Sequence, residues 1–104
     1  MNESLRVAAR LHARDMAMSG YFSHESADGR TLLDRTQAAG FGGCAVGEDI
    51  AQGYRDPQAV VAGWMGSDGH CANLLSPRYR HLGVGYYDAP DAKIERVWGQ
   101  NFGD

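Results

Sequence analysis

Apolar side chains recur at spacings of three and four from Leu5 through Ala8, Ala9, His12, Ala13 and Met16 to Ala17, which predicts an amphipathic helix over residues 4–19. Arg6, Arg10 and Arg14 fall in a row on another face, the pattern of a solvated helix surface. Gly20 follows as a helix stop. Asp28-Gly29 marks a turn, and Thr31 is the expected N-cap of a second helix from Leu32 to Ala39, ended by Gly40. Asp56-Pro57 opens a third helix carrying Val60, Val61, Trp64 and Met65 to about Gly66. A short fourth helix, 69–75, stops before Ser76-Pro77. Residues 82–88 and 94–102 have strand character, with 88–93 as the loop of a hairpin between them.

Helices followed by an antiparallel pair define an α+β domain. Two strands alone make a marginal sheet. The sheet therefore needs a further strand within 41–52, or residues outside this chain. From Gly40 to Gly53 five glycines interrupt the sequence, so little regular structure is expected there before Gly47.

A length of 104 residues fits one domain, 1–104, and 43% hydrophobic residues place it among folding chains rather than disordered ones. No apolar run approaches the roughly 20 residues of a membrane-spanning helix. The formal charge of −3, without a basic block, argues against nucleic acid as a partner. Residues Met1 to Ser4 carry neither the cationic nor the apolar region of an export signal. Cys44 and Cys71 lack Cys-x-x-Cys spacing and leave two readings. One is a single disulfide contributing about 3 kcal/mol by loop closure; the other is two small apolar side chains.

Four polar groups lie in irregular, glycine-rich settings: His24, Glu48, Asp68 and His70. Two imidazoles with a carboxylate suit a divalent cation such as zinc, or acid–base work. Spacing alone is a weak signal. The chain has no His-Glu-x-x-His helix, no Gly-x-Ser-x-Gly elbow and no phosphate loop. His12 is expected at the boundary of the helix stripe, Trp64 and Trp98 in the core, and Asn73 as a backbone tie near Pro77.

Five blocks add a more specific signal. Phe22-Ser23-His24 with Asp28-Gly29-Arg30-Thr31, then Gly47-Glu48-Asp49-Ile50-Ala51, resemble segments of bacterial CAP domains, the SCP-like branch of the cysteine-rich secretory protein superfamily. Trp64 to Leu75, Leu82-Gly83-Val84-Gly85-Tyr86 and Val97 to Gly103 are similar to three more, in the same order. The resemblance implies an αβα sandwich, an antiparallel sheet flanked by helices, in a secreted, periplasmic or cell-envelope protein. It also implies a cleft lined by two histidines and acids that binds a divalent metal in some members.

His24 and Glu48 match the cleft histidine and acid directly, and His70 matches the bacterial Gly-His motif. Ser67 stands where some members carry a second glutamate, for which Asp68 would substitute. Asp49 replaces an asparagine. Cys71 replaces an arginine and, with Cys44, suggests a bridge pinning both edges of the cleft. The family's preceding helix has at most its tail here, so the chain is expected to be trimmed at its N-terminus, with its export signal lost.

The expected function is a binding module for an envelope component, a small apolar ligand or another protein, with His24 and His70 as metal ligands in a cleft completed by Glu48, Ser67 and Asp68. The cation, zinc first, is not needed for folding. The alternative is a zinc-dependent hydrolase of peptidase type with Glu48 as general base.

Overall fold

The computed structural model describes residues 1–104, apart from the side chain of Asp68. Helix α1 runs Glu3–Ser19, α2 Leu32–Ala38, strand β1 Val46–Gln52, α3 Pro57–Met65, α4 Asp68–Leu75, β2 His81–Tyr87 and β3 Val97–Gly103. Local chemistry sets the helix ends. Asn2 caps α1 by accepting the Leu5 N–H, and Gly20 closes it at φ 78°. Thr31 and Asp34 form a reciprocal capping box on α2, and Asp56 accepts the Ala59 N–H ahead of Pro57 on α3.

The third strand lies inside the glycine-rich segment. The sheet order is β1-β3-β2, both pairings antiparallel, so the chain's last strand is central. Strand β3 begins at Val97, not at 94. The N–H groups of Lys93 and Ile94 bond instead to Ala17 O at the end of α1, and Ile94 packs against the α1 cluster. Arg96, at φ 49°, then turns the chain into the strand.

Alternation along the strands gives the sheet two different faces. On one, Ile50 and Val97 pack with Ala13, Met16 and Ala17 of α1. The helix lies so close that a Cβ at Gly83 would land on the Arg6 amide, and one at Gly85 on the Arg10 amide. On the other face Ala51 and Trp98 pack with Val60 and Trp64 of α3 and with Leu74 of α4. The result is the expected αβα sandwich.

β1 is an edge strand, and its outward carbonyls are covered by side chains. Tyr79 Oη donates to Val46 O at 3.2 Å, Asn73 Nδ2 to Glu48 O at 3.1 Å, and Trp64 Nε1 to Ile50 O at 3.2 Å. Alternate carbonyls that a foreign strand would pair with are thereby satisfied within the domain. Asn73 is a backbone tie as expected, but its target is β1 and not the turn at Pro77. His12 is not a boundary residue either: it is buried, and its Nε2–H donates to Ser23 O at 2.8 Å.

Candidate functional site

Glu48 and Asp49 are neighbours on β1 and therefore project to opposite faces of the sheet. Glu48 lies on the α1 face, where its side chain is only 2% exposed. His24 Nδ1 donates to its Oε1 at 2.9 Å, and Arg35 Nη1 to its Oε2 at 3.1 Å. A longer bond of 3.4 Å runs from Arg35 Nη2 to Oε1. The Asn101 amide, turned so that its oxygen accepts and its nitrogen donates, adds a bond to Oε2 at 2.9 Å. Burying a carboxylate is costly unless it is paired and hydrogen-bonded; here Arg35 supplies the opposite charge and three side chains supply hydrogen bonds.

Arg35, 4% exposed in its side chain, also donates to His24 O and so fixes the loop that carries the histidine. The His24 ring is 60% exposed and presents Nε2 outward. Its pKa is raised, first by the hydrogen bond to Glu48, against a smaller opposing effect of burial.

On the opposite face Asp49 is buried. Its Oδ1 accepts from Asn73 Nδ2 at 2.9 Å, while Oδ2 has no partner among the described residues. Burial raises its pKa, and the charges of both His70 and His24 pull it back down. An imidazole from each flank of β1 thus acts on one carboxyl. His70 is half-buried on α4, and His24 is on the 21–31 loop.

Ser67 is the N-cap residue of α4 by position, but its hydroxyl makes no cap bond. The side chain of Asp68 lies outside the described residues. Among the described residues no group of three or more His, Cys, Asp or Glu is arranged to hold a metal ion. The two cysteines are free, so of their two readings the bridge is not the one seen. Cys44 is exposed at the entrance to β1, where Asp104 holds its N–H at 3.0 Å, and Cys71 is half-buried in the first turn of α4.

Arg35 is the residue that sequence reasoning missed. In Leu32-Leu33-Asp34-Arg35-Thr36 it looks like ordinary helix polarity, and only the buried acid contributed by β1 reveals its role. A second missed group lies beside it: Tyr21 Oη donates to Asp15 and sits 3.5 Å from His12 Nδ1. Burial lowers the pKa of His12, with the Arg35 cation adding to the effect.

Helices on both faces of an antiparallel three-stranded sheet, with a loop histidine bonded to a glutamate of its edge strand, define a CAP-type domain. The chain belongs to the cysteine-rich secretory protein family, whose model matches residues 1–102. It is 35% identical over 102 residues to the uncharacterized protein YkwD of Bacillus subtilis, a match covering 98% of this chain and 38% of that protein. It is 43% identical over 74 residues to the uncharacterized membrane protein YlbC of the same organism, across 71% of this chain and 21% of that one. The chain thus spans well under half the length of these curated relatives.

Among solved structures, an extracellular SCP-domain protein of Bacillus anthracis superposes with a TM-score of 0.88 at 37% identity, over 98% of this chain and 32% of that one. An outer surface protein of Borrelia burgdorferi shares the fold, with a TM-score of 0.86 at 20% identity, over 99% of this chain and 74% of that one. Among the described residues no helix is long and apolar enough to cross a membrane.

Proposed function

We propose that this domain is the recognition module of a secreted or cell-surface protein, and that its ligand meets the protein at the His24–His70 edge of the sheet. The observation that carries this reading is the state of Glu48. A general base needs a lone pair aimed at the proton it removes. Glu48 is buried, and its oxygens already accept from His24, Arg35 and Asn101. That arrangement supports Glu48 as the brace of the site and weighs against the hydrolase alternative. The extracellular protein of Bacillus anthracis and the outer surface protein of Borrelia burgdorferi support the compartment.

The donor set suits a weak, exchangeable divalent cation. A metal-binding histidine commonly donates its other ring N–H to a carboxylate, and His24 does so through Nδ1 to Glu48. His24 Nε2 and His70 would hold the ion, which would supply a Lewis-acidic contact to a carbonyl or carboxylate of the ligand. Two imidazoles are fewer than the three protein ligands of a catalytic zinc site.

Calorimetric titration with zinc tests this reading. Saturable binding that both His24→Ala and His70→Ala abolish is the expected result. Wild-type affinity in either variant would overturn the shared site. Peptidase or esterase turnover that Glu48→Gln eliminates would move the assignment to the hydrolase.

A further inference from the structure

β2 is the second edge of the sheet, separated by β3 from β1 and its His24–Glu48 pair. At the end of β3, Asp104 N–H turns toward β1 and bonds to Ala45 O. Alternation along the ladder then turns the odd-numbered residues of β3 toward β2, where their partners are His81, Gly83, Gly85 and Tyr87. The N–H and C=O groups of Leu82, Val84 and Tyr86 therefore point out of the sheet. Asn2 N–H takes the Leu82 carbonyl at 2.7 Å, whereas Val84 and Tyr86 have no outward backbone hydrogen bond among the described residues. Of the helices and strands, only α1 and β3 pack extensively on β2. The outward carbonyls of β1 are covered by side chains, so the two edges differ, and β2 is the one open to strand addition.

The surroundings select the strand that fits. In an antiparallel pairing, a residue added opposite Gly85 projects to the α1 face, and residues added opposite Val84 and Tyr86 project to the other face. On the α1 face the backbone of Arg6 and Arg10 lies against Gly83 and Gly85. Arg6 is paired with Glu3, but the exposed Arg10 guanidinium stands 5.8 Å over the Tyr87 ring with no carboxylate partner among the described residues. Asp88, past the end of the strand, has its Oδ1 taken by the Arg96 N–H. On the other face Val84 is half-buried, and the exposed Tyr86 leans its ring on Trp98 at 4.3 Å between centroids. A second copy paired through β2 about a twofold axis would set two α1 helices on one face with their Arg10 sides together, a like-charge contact. We propose that the β2 edge takes an extended segment of a partner protein in which acidic side chains alternate with β-branched apolar ones. The acids would meet Arg10, and the apolar side chains would continue the Val84–Tyr86 surface. This inference stands independently of the ligand proposed for the other edge.

The test is an amide-resolved NMR titration of the intact chain with the end-blocked peptide Gly-Glu-Val-Glu-Val-Glu-Gly. Saturable shifts centred on Val84, Gly85 and Tyr86 are expected. In the antiparallel register both valine N–H groups face β2, and the central glutamate N–H faces away. N-methylating the two valines removes two hydrogen bonds and should weaken binding about tenfold, whereas N-methylating the central glutamate should change it by less than about twofold. The peptide with lysine in place of each glutamate should bind about tenfold more weakly, and Arg10→Glu, an exposed substitution, should reverse that preference. Shifts without saturation, a valine-methylated or lysine peptide as tight as the parent, or an unchanged preference in Arg10→Glu would each overturn the assignment. Sedimentation of the chain alone should show a monomer; a dimer with the Val84 and Tyr86 amides protected from hydrogen exchange would give the edge to a second copy instead.

Discussion

Arg35 on α2 and Glu48 on β1 form an ion pair with both side chains almost fully buried, Nη1 to Oε2 at 3.1 Å. The pair joins a short helix to the edge of the sheet and, through Arg35 and His24 O, holds the loop that presents the histidine. Its geometry links the stability of the domain to the shape of the candidate site.

Removing one partner leaves a buried charge without its counterion, a loss of about 3–5 kcal/mol. Arg35→Ala should therefore lower unfolding stability by that amount in urea titration. Replacing both, as in Arg35→Leu with Glu48→Leu, should cost less than Arg35→Ala alone. A single variant within about 0.5 kcal/mol of wild type, the range of ordinary surface changes, would show that the pair is not buried as described.

The two histidines that touch this region give stability opposite pH dependence. His12 has a lowered folded pKa, so its unfolded form binds protons first, and stability falls as pH drops below about 6.5. His24 has a raised pKa; its contribution is complete below about 6.5 and fades as pH rises through the folded value. The exposed ring of His24 makes its share the smaller one. Because His24 and Asp49 act in the opposite sense, the test is the variant: His12→Gln should shift the difference between the urea midpoints at pH 7.5 and 5.0 in favour of the lower pH. An equal difference in the variant would rule out His12 as its source.

Asp49 should behave as a destabilising carboxyl. Its pKa is raised by burial, so stability is greatest where it is protonated and declines as pH rises from about 3.9 through the folded value. Asp49→Asn keeps an oxygen for Asn73 and removes the buried charge, so it should raise the urea midpoint at pH 7. A lowered midpoint would mean that the carboxylate has a further stabilising partner.

Gly85 tests the packing of α1. A Cβ there collides with the backbone of Ala9 and Arg10, which cannot move as a flexible side chain can. Gly85→Ala should cost about 1–3 kcal/mol or more, whereas Gly29→Ala, with open space around it, carries only the strain of its φ of 91°. Equal losses, by thermal melting, would argue against close helix–sheet contact.

Local signals in the sequence led to local structure. Asn2, Thr31, Asp56 and Gly20 act at the helix ends, and three of these four were legible as caps or stops; Asn2 was not singled out. Long-range pairing was harder to see. β1 is the further strand expected within 41–52, but its place beside the chain's last strand was not legible; inside it Gly47 admits the Tyr79 ring. Ile94 has strand character, yet its N–H goes to the end of α1. His24, Glu48 and His70 were singled out by their irregular settings and then by motif resemblance, while Arg35 stayed hidden because its partner lies 13 positions away on another element.

Glu48 is committed to bracing His24 and Arg35, and the rest of the site depends on that commitment. The most direct measurement is the His24 imidazole titration by NMR in wild type and in Glu48→Gln, each checked for a folded spectrum. A His24 pKa above the ordinary value of about 6.5 is expected in wild type, with a clear fall in the variant, because the charged hydrogen bond is lost. A pKa unchanged by the substitution would contradict the bracing role.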